Sequence, residues 1–300
     1  MQTVSVIIPT RNRLEFLKAA LASVYCQSYK AIEIIVIDEQ SSDDTPAFLQ
    51  QEYTEGKLRF IRNEEPKGAA NARNIGIAAA LGTFIAFLDD DDEWMPQKIE
   101  KQVALFADEE VGLVYTGIEL VYEDMGFSYQ SLPDISGRVF NQLLIENRIG
   151  VTSSVMIRGI VAKEFMFDVA LPARQDYELW LRISRKWKVA GVREPLAKIY
   201  ARNTLKRITS DIGNYERSIA YINEKYKDDI AVMGRKEQKA RTADQYFFLA
   251  SQAVKANNIV SARRYFLKSV KERFSLKSFV SFLASLAGVK AVLNLRRLKR

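Results

Sequence analysis

The feature that most constrains the fold is a regular alternation of short apolar runs and helical segments in the first third of the chain. Apolar runs that end in polar residues predict strands at residues 4–8, 33–37, 58–62 and 83–88. Helical spacing predicts helices at residues 13–27, from 45 onward, at 68–81 and at 96–107. Because strands that alternate with helices usually pair in parallel, this order predicts an α/β fold with a doubly wound, mostly parallel sheet.

The pattern changes after residue 111. Further strands are predicted at residues 111–122, 127–131, 151–157 and 195–200, and further helices at 139–147 and 176–186. From about residue 214 the pattern is helical throughout, with a turn predicted at Asn257 and Asn258. We therefore predict an α/β domain at residues 1–205 and a basic, all-helical extension at residues 206–300.

The composition excludes several classes of chemistry. Histidine is absent, which rules out a Ser-His-Asp triad, a histidine general base and a histidine-ligated zinc site. The single cysteine, Cys26, excludes an internal disulfide framework and is typical of a reducing cytoplasm. Met1 leads directly into an apolar run, and no apolar run is long enough to predict a membrane span. We therefore expect a cytoplasmic protein without a signal peptide.

Polar segments follow three of the predicted strands, at residues 10–12, 38–42 and 89–92. Ligands of open parallel sheets bind at the carboxyl ends of the strands, so these segments predict a site at one edge. The last segment is four consecutive aspartates, whose mutual repulsion a divalent cation such as Mg²⁺ or Mn²⁺ would relieve. The alternative is a solvated turn that caps the following helix.

Five strings of residues occur in an order and at a spacing that resemble the family 2 glycosyltransferases. They are VSVIIPTRNR at residues 4–13, SVYCQSY at 23–29, EIIVID at 33–38, ARNIG at 72–76 and FLDDDDEWMP at 87–96. The resemblance covers roughly residues 3–200. It implies a GT-A fold, a UDP-, dTDP- or GDP-sugar as donor, a Mn²⁺ or Mg²⁺ ion and inversion at the anomeric carbon.

The resemblance also implies roles for individual residues. Those that would bind the donor nucleotide are Pro9, Thr10, Asn12, Asp38, Glu39, Arg73, Asp89 and Asp90. Among them, Asp38 and Glu39 would contact the nucleobase of the donor. The metal ligands would be Asp91 and Asp89, with Asp92 as a neighbouring candidate.

Asp176 is similar in position to the family's catalytic base, at the start of a helix on the acceptor side. An inverting displacement needs a carboxylate that deprotonates the acceptor hydroxyl as it attacks, opposite the leaving diphosphate. The alternative is that Asp176 only caps the helix. Glu178 is a weaker candidate for the base, because a residue two positions further along a helix points elsewhere.

Four positions depart from the family pattern. The aspartate at the end of the second strand is followed by Glu39 and Gln40, where the family usually has aspartate and a glycine or small polar residue. The residues at positions 39 and 40 bear on which nucleobase of the donor the protein prefers. Gln175 stands where glutamate often precedes the catalytic base, and Asn203 stands where histidine is frequent. Arg202, beside it, could still neutralise the donor diphosphate.

Charge is divided unevenly along the chain. Residues 201–300 have a net charge of +14 and residues 1–200 a net charge of −7. Residues 261–300 contain eleven basic residues and one acid among apolar residues. This combination predicts peripheral contact with an anionic membrane, at the inner face of the cytoplasmic membrane, and a solvated tail is the alternative. No nucleic-acid-binding module is recognisable, so we expect no nucleic-acid partner.

The sequence therefore predicts an enzyme of polysaccharide or cell-envelope synthesis that transfers a sugar to a glycan or lipid-linked acceptor. A nucleotidyltransferase would share the sheet and the carboxylates, but the first strand–helix turn lacks the glycine-rich, basic signature of such enzymes. A non-catalytic module that binds a sugar nucleotide or a membrane would account for Glu39, Gln175 and Asn203.

Overall fold

The computed structural model describes residues 2–201 and 211–297. In this part of the chain nine strands form one sheet, with helices on both of its faces and a group of helices at the C-terminal end. The strands are β1 (Val4–Thr10), β2 (Ile32–Asp38), β3 (Arg59–Arg62), β4 (Phe84–Phe87), β5 (Glu93–Trp94), β6 (Val111–Tyr122), β7 (Phe127–Ser131), β8 (Val155–Arg158) and β9 (Lys188–Tyr200).

The helices of the sheet region, defined as residues 2–201, are α1 (Leu14–Tyr25), α2 (Thr45–Thr54), α3 (Ala69–Ala79), α4 (Lys98–Leu105), α5 (Phe140–Ile145), α6 (Gly159–Phe165) and α7 (Gln175–Lys186). Those of the helical region, defined as residues 211–297, are α8 (Ile212–Lys225), α9 (Lys227–Ala231), α10 (Arg235–Lys255), α11 (Ile259–Glu272), α12 (Leu276–Leu286) and α13 (Val289–Arg297).

The sheet is mixed, with the strand order β3-β2-β1-β4-β8-β6-β9-β5 and β7 paired to β6. Strands β3, β2, β1 and β4 are parallel, as the alternation of strands and helices predicted. Beyond them, β8 is antiparallel to both β4 and β6, and β6 pairs in parallel with β9. The strand order reverses between β1 and β4, where open α/β sheets bind their ligands.

Four elements differ from the sequence prediction, and one of them is β5, whose two residues are too few to show a strand pattern. The expected strand at 151–157 begins as a 3₁₀ turn at Thr152–Ser154, in which Ser154 Oγ donates to Val151 O (2.8 Å). Helix α6 is not predicted by the pattern, because its seven residues are too few to show a period. Strand β9 begins well before the predicted segment, since Gly191 and Pro195 weaken its strand signal.

Two hydrophobic cores lie on opposite faces of the sheet, as the two-residue period of a strand requires. In β1, Ile7 lies in the first core, whereas Val6 and Ile8 lie in the second. The first core also contains α7, with Trp180 fully buried, and the second contains Leu17 of α1. The sheet is therefore the middle layer of three.

Helix α3 packs closely on β1 because Gly76 faces Ile7. A Cβ atom at Gly76 would lie 2.4 Å from Ile7 Cγ2, closer than real contacts allow. Ala70 and Ala72 of the same helix are buried as well. The small residues of α3 therefore hold Arg73 against the sheet.

The helical region packs against the sheet region. Ile222 of α8 and Tyr226, which follows it, belong to the same core as Trp180. Asn257 has φ 55°, and Asn258 accepts a hydrogen bond at the start of α11, which confirms the predicted turn. The predicted boundary at residue 205, Arg202 and Asn203 lie outside the described residues, so the division into two domains stays a prediction.

Among the described helices, none combines the length and the hydropathy that crossing a bilayer requires. The apolar stretch at residues 278–289 is divided between α12 and α13. Gly288 has φ 106°, a left-handed conformation that commonly follows the end of a helix.

Candidate active site

Three polar segments meet at the carboxyl edge of the parallel strands. Thr10 at the end of β1 is in register with Asp38 at the end of β2, and the aspartate segment follows β4, which pairs with the other side of β1. Thr10 Oγ1 donates a hydrogen bond to Asp90 Oδ2 (2.8 Å). The structure thus brings together the strand ends that the sequence pattern predicted to converge.

Asp38 presents a buried acceptor at this edge. Its Oδ1 accepts the N–H of Ser41 (2.9 Å). Its Oδ2 is buried without a hydrogen-bond partner in the described part of the chain, and the nearest cation is Arg62, whose Nε lies 3.7 Å away. Leaving such an atom unpaired costs about 1–3 kcal/mol, so the position suits a ligand that donates an N–H.

Glu39 and Asn12 bind the loops beside this acceptor. The Glu39 carboxylate accepts the N–H groups of Lys67 and Gly68, both at 2.7 Å, and a hydrogen bond from Asn63. Asn12 Oδ1 accepts an N–H of the loop after β2 (2.6 Å). Both side chains therefore hold the rim of the site in place, and their expected contacts with a nucleotide stay predictions.

Two neighbouring positions complete this rim. Pro9 of β1 is partly exposed at the same edge. Gln40 has φ 60°, in the left-handed region that favours glycine. This conformation accounts for the small residue expected at this position from the family resemblance.

The aspartate segment is partly neutralised by two arginines. Asp89 Oδ1 lies 2.5 Å from Arg73 Nη2, and 34% of its side chain is exposed. Arg13 Nη1 lies 3.0 Å from Asp90 Oδ1 and 3.7 Å from Asp91 Oδ2. Arg13 was not assigned a role from the sequence, because only the fold places it beside the aspartates.

Asp90 and Asp92 are the buried carboxyl groups of the segment. Burial raises the pKa of Asp90 to about 6, although the charge of Arg13 acts in the opposite direction. Burial also raises the pKa of Asp92 well above its usual range, and the charges of Asp89 and Asp91 act in the same direction. Both carboxyl groups therefore favour the neutral form more than a solvated aspartate does.

Ser153 holds the aspartate segment in place. Its Oγ donates to Asp92 Oδ2 (2.6 Å) and accepts the N–H of Asp89 (3.1 Å). Asp92 Oδ1 also accepts the N–H of Tyr200 in β9 (3.3 Å). Sequence reasoning missed Ser153, and its only signal is a polar triplet, residues 152–154, inside an apolar segment. Asp92 thus connects the aspartate segment with the turn at Ser153 and with β9. Asp89 and Asp91 instead lie next to Arg73 and Arg13.

The donor atoms of the segment suit a hard divalent cation, because they are carboxylate oxygens. Within the described residues, no three acidic, histidine or cysteine side chains converge as a set of metal ligands. Asp91 and Asp89 stay the predicted ligands, and a cation held by them would take its other ligands from water and from a bound diphosphate, as Mg²⁺ commonly does.

Asp176 lies far along the chain, but its carboxyl group is near enough to Arg73 and Asp89 for their charges to act on it. Helix α7 begins one residue before it, with Arg174 as the N-cap residue, and Asp176 Oδ1 accepts the N–H of Tyr177 in the first turn (2.7 Å). Asp176 is therefore not the N-cap residue itself, but it does satisfy one N–H group at the start of the helix. Burial raises the pKa of Asp176. The positive charge of Arg73 lowers this pKa, and the negative charge of Asp89 raises it. A carboxylate with a raised pKa is a stronger base at neutral pH.

Glu178, the weaker candidate for the base, has a structural role. Its side chain is fully buried, and its carboxylate lies 2.8 Å from both Arg182 Nη2 and Lys225 Nζ. Arg182 also donates to the carbonyl groups of Phe165 and Met166. This network connects α7 with the end of α6 and with α8, away from the aspartate segment.

Comparison with known proteins identifies the family. Residues 5–163, just over half of the chain, match the family described as "Glycosyl transferase family 2". The chain belongs to this family. This glycosyltransferase is 31% identical to WfgD of Escherichia coli, a UDP-Glc:alpha-D-GlcNAc-diphosphoundecaprenol beta-1,3-glucosyltransferase, over 63% of its own length and 72% of the relative.

Two solved structures share the fold of the glycosyltransferase. TarS from S. aureus, in complex with UDP, matches with a TM-score of 0.56 at 14% identity, over 89% of this chain and 88% of TarS. The mannosyltransferase PcManGT from Pyrobaculum calidifontis, in complex with GDP-Man and Mn2+, matches with a TM-score of 0.56 at 17% identity, over 97% and 86% of the two chains. The expected GT-A fold is thus confirmed.

Proposed function

We propose that this glycosyltransferase transfers a sugar, with inversion, from a nucleotide-diphosphate sugar to a lipid-linked or other glycan acceptor, with the help of Mn²⁺ or Mg²⁺. The proposal rests on the position of Asp176 near the Arg73–Asp89 ion pair. Such a base beside the donor-binding edge is what an in-line displacement at the anomeric carbon requires.

The donor nucleotide would bind across the ends of β1, β2 and β4. Asp38 Oδ2 would accept the N–H of a uracil, thymine or guanine base, which its lack of a partner among the described residues supports. Arg73 Nε is likewise buried without a partner in that part of the chain, and it would donate to an oxygen of the nucleotide. The residues proposed to line this pocket are Pro9, Thr10, Asn12, Asp38, Glu39, Arg73, Asp89 and Asp90.

Asp91 and Asp89 would hold the divalent cation. When bound, the cation offsets the negative charge that develops on the leaving diphosphate. Arg13 lies 3.7 Å from Asp91 Oδ2 and Arg73 lies 2.5 Å from Asp89 Oδ1, and both would contribute positive charge from the protein.

Asp176 would act as the general base. Its carboxylate removes the proton of the acceptor hydroxyl while that oxygen forms a bond to the anomeric carbon. The bond from the anomeric carbon to the diphosphate breaks on the opposite side, and the nucleoside diphosphate leaves. Because attack and departure are on opposite sides, the configuration inverts.

A lipid-linked acceptor is supported by the relative WfgD, whose name gives a diphosphoundecaprenol-linked sugar as its acceptor. The product would then be an intermediate of a cell-envelope polysaccharide. A soluble glycan would use the same base and the same donor site.

The decisive experiment combines donor binding with turnover. UDP-, dTDP- and GDP-sugars are tested with Mn²⁺ or Mg²⁺ by thermal shift, and at 100 times its Kd the correct donor should stabilise the fold by about 2.7 kcal/mol. Release of nucleoside diphosphate is then measured with a polyprenyl-diphosphate-linked sugar as acceptor.

Asp91→Ala should abolish the metal-dependent part of the shift and the turnover. The control Glu109→Ala removes an exposed acid elsewhere and should change neither. Absence of a shift with every donor, or a shift unaltered in Asp91→Ala, would contradict the proposed site. A donor shift without turnover on any acceptor would favour the non-catalytic module.

A further inference from the structure

Helix α12 has its apolar side chains on the outside. Its buried positions are two serines, Ser278 and Ser285, which are 5% and 0% exposed. Four large apolar residues of the same helix are between 37% and 71% exposed, namely Leu276, Phe279, Leu283 and Leu286. Their spacing of three and four residues places them along one face of the helix. Phe274, whose ring centroid is 5.7 Å from that of Phe279, extends this face, and we name the five residues the α12 stripe.

Hydrogen bonds fix the orientation of this helix. Ser278 Oγ is 3.1 Å from Ser269 Oγ of α11. Arg263 Nε of α11 donates to Ser285 O (2.8 Å) at the end of α12. Turning the stripe inward would break these bonds and bury polar groups, so the stripe is held at the surface.

A basic cavity adjoins the stripe. It has a volume of about 310 Å³ and is lined by Ile145, Lys236, Glu237, Lys239, Ala240 and Arg273. Arg273 directly precedes Phe274, the first residue of the stripe. In the described part of the chain, no carboxylate forms a salt bridge with any of the three cations. Glu237 is engaged at its own helix start, where its Oε2 accepts the N–H of Gly234 (3.0 Å).

The charge around the stripe decides what can cover it. Residues 261–300 carry eleven basic residues and one acid, and both Lys277 and Lys290 are exposed. A second copy of the chain would bring two basic surfaces together, which electrostatic repulsion opposes. The occupant must therefore combine an apolar phase with negative charge, as the surface of an anionic bilayer does.

We propose that the glycosyltransferase docks on anionic membranes through this surface. The α12 stripe enters the boundary between head groups and acyl chains, and the cavity formed by Lys236, Lys239 and Arg273 binds the phosphate of an anionic phospholipid. Docking of this kind would hold the enzyme at the surface where a lipid-linked acceptor is found. The proposal stands independently of the donor and of the catalytic assignments above.

The test is co-sedimentation of the full chain with vesicles of phosphatidylcholine, with or without phosphatidylglycerol. Binding should require phosphatidylglycerol and should weaken as salt is added, because the Debye length falls. Combining Leu276→Ser, Phe279→Ser and Leu283→Ser should lower the partition coefficient at least tenfold. Combining Lys236→Glu and Lys239→Glu should lower it by a similar factor.

Matched controls separate docking from general changes of the surface. Leu81→Ser, Ile160→Ser and Val169→Ser combined remove three exposed apolar side chains of the sheet region. Lys163→Glu and Arg193→Glu combined reverse two exposed charges there. Both controls should bind vesicles like the wild type.

Three results would overturn the proposal. These are wild-type binding that does not depend on phosphatidylglycerol, stripe variants that bind like the wild type, and a wild-type oligomer in light scattering that the stripe variant dissolves. The last result would assign the stripe to contacts between copies. Thermal unfolding of each variant shows whether it is folded, and a donor-induced thermal shift tests the proposed function separately.

Discussion

The sheet region buries its apolar side chains and gathers charge at one edge, whereas helix α12 of the helical region exposes its apolar side chains and buries serines. Strands β1 and β2 are buried almost throughout and end in the polar pair Thr10 and Asp38. In α12 the most buried positions are Ser278 and Ser285. A buried charge at a strand end therefore indicates a ligand, and an exposed apolar face indicates a surface that the protein contacts.

The two regions meet next to the proposed base. The Arg174 guanidinium lies 4.4 Å from the ring centroids of both Tyr177 in α7 and Phe248 in α10. Arg174 is buried, has φ 58° and precedes α7. Phe248 of the helical region therefore helps to hold the turn from which Asp176 projects.

The largest expected effect is in the sheet region, at Asp176. Asp176→Asn keeps the shape of the side chain but removes the base, so kcat should fall by about 10²–10⁴ with donor binding retained. The control is Asp244→Asn in α10, where burial raises the pKa of the carboxyl group to about 7. Steady-state kinetics and donor thermal shift measure both variants, and a kcat for Asp176→Asn near the wild-type value would remove the assignment.

The next prediction tests whether the two regions use apolar side chains differently. Trp180→Ala removes a fully buried side chain and should lower the free energy of unfolding by about 3–5 kcal/mol. Leu276→Ala removes a side chain that is 71% exposed and should change it by less than about 0.5 kcal/mol. Denaturant unfolding of the two variants checks the difference, and a large loss for Leu276→Ala would mean that the stripe is part of a core.

A smaller effect is expected at the contact between the regions. Phe248→Ala removes one ring from the Arg174 guanidinium, and kcat should fall about two- to thirtyfold, since such contacts contribute roughly 0.5–2 kcal/mol. Phe247→Ala is the matched control, because Phe247 is equally half-buried but packs against Phe266 instead. If both variants lose the same activity, the effect is one of general stability.

The last prediction concerns the pH dependence of stability at Lys98, a fully buried lysine of the sheet region whose Nζ donates to Gln102 (2.7 Å). Burial lowers the pKa of Lys98 well below its usual range. Between that value and the unfolded pKa of about 10.4 the unfolded state binds more protons, so stability rises with pH.

Lys98→Met should reduce this slope by up to about 1.4 kcal/mol per pH unit and should gain stability at neutral pH relative to the wild type. Urea unfolding from pH 7 to 10 measures the slope, with the exposed Lys163→Met as control. Equal slopes for the wild type and Lys98→Met would show that Lys98 does not titrate in this range.

Much of the site could be predicted because its residues are local to strand ends. Thr10, Asp38 and the aspartates each follow an apolar run, and the parallel pairing of those runs follows from the helices between them. The sequence pattern predicted a strand near β8 but not that it runs antiparallel to β4, because the direction of a strand depends on partners distant in the chain. Ser153 was missed for the same reason, since its bonds to Asp89 and Asp92 span more than sixty residues.

By itself the sequence determined the α/β class, the family and the residue types at the donor edge, because these depend on local periodicity and on short strings of residues. Only the tertiary structure decided that Asp176 lies near Arg73, that Asp92 and Glu178 are structural, and that α12 turns its apolar face outward. Each of these findings depends on contacts between segments distant in the chain. The spacing of residues along a helix defines two faces but does not show which of them is buried.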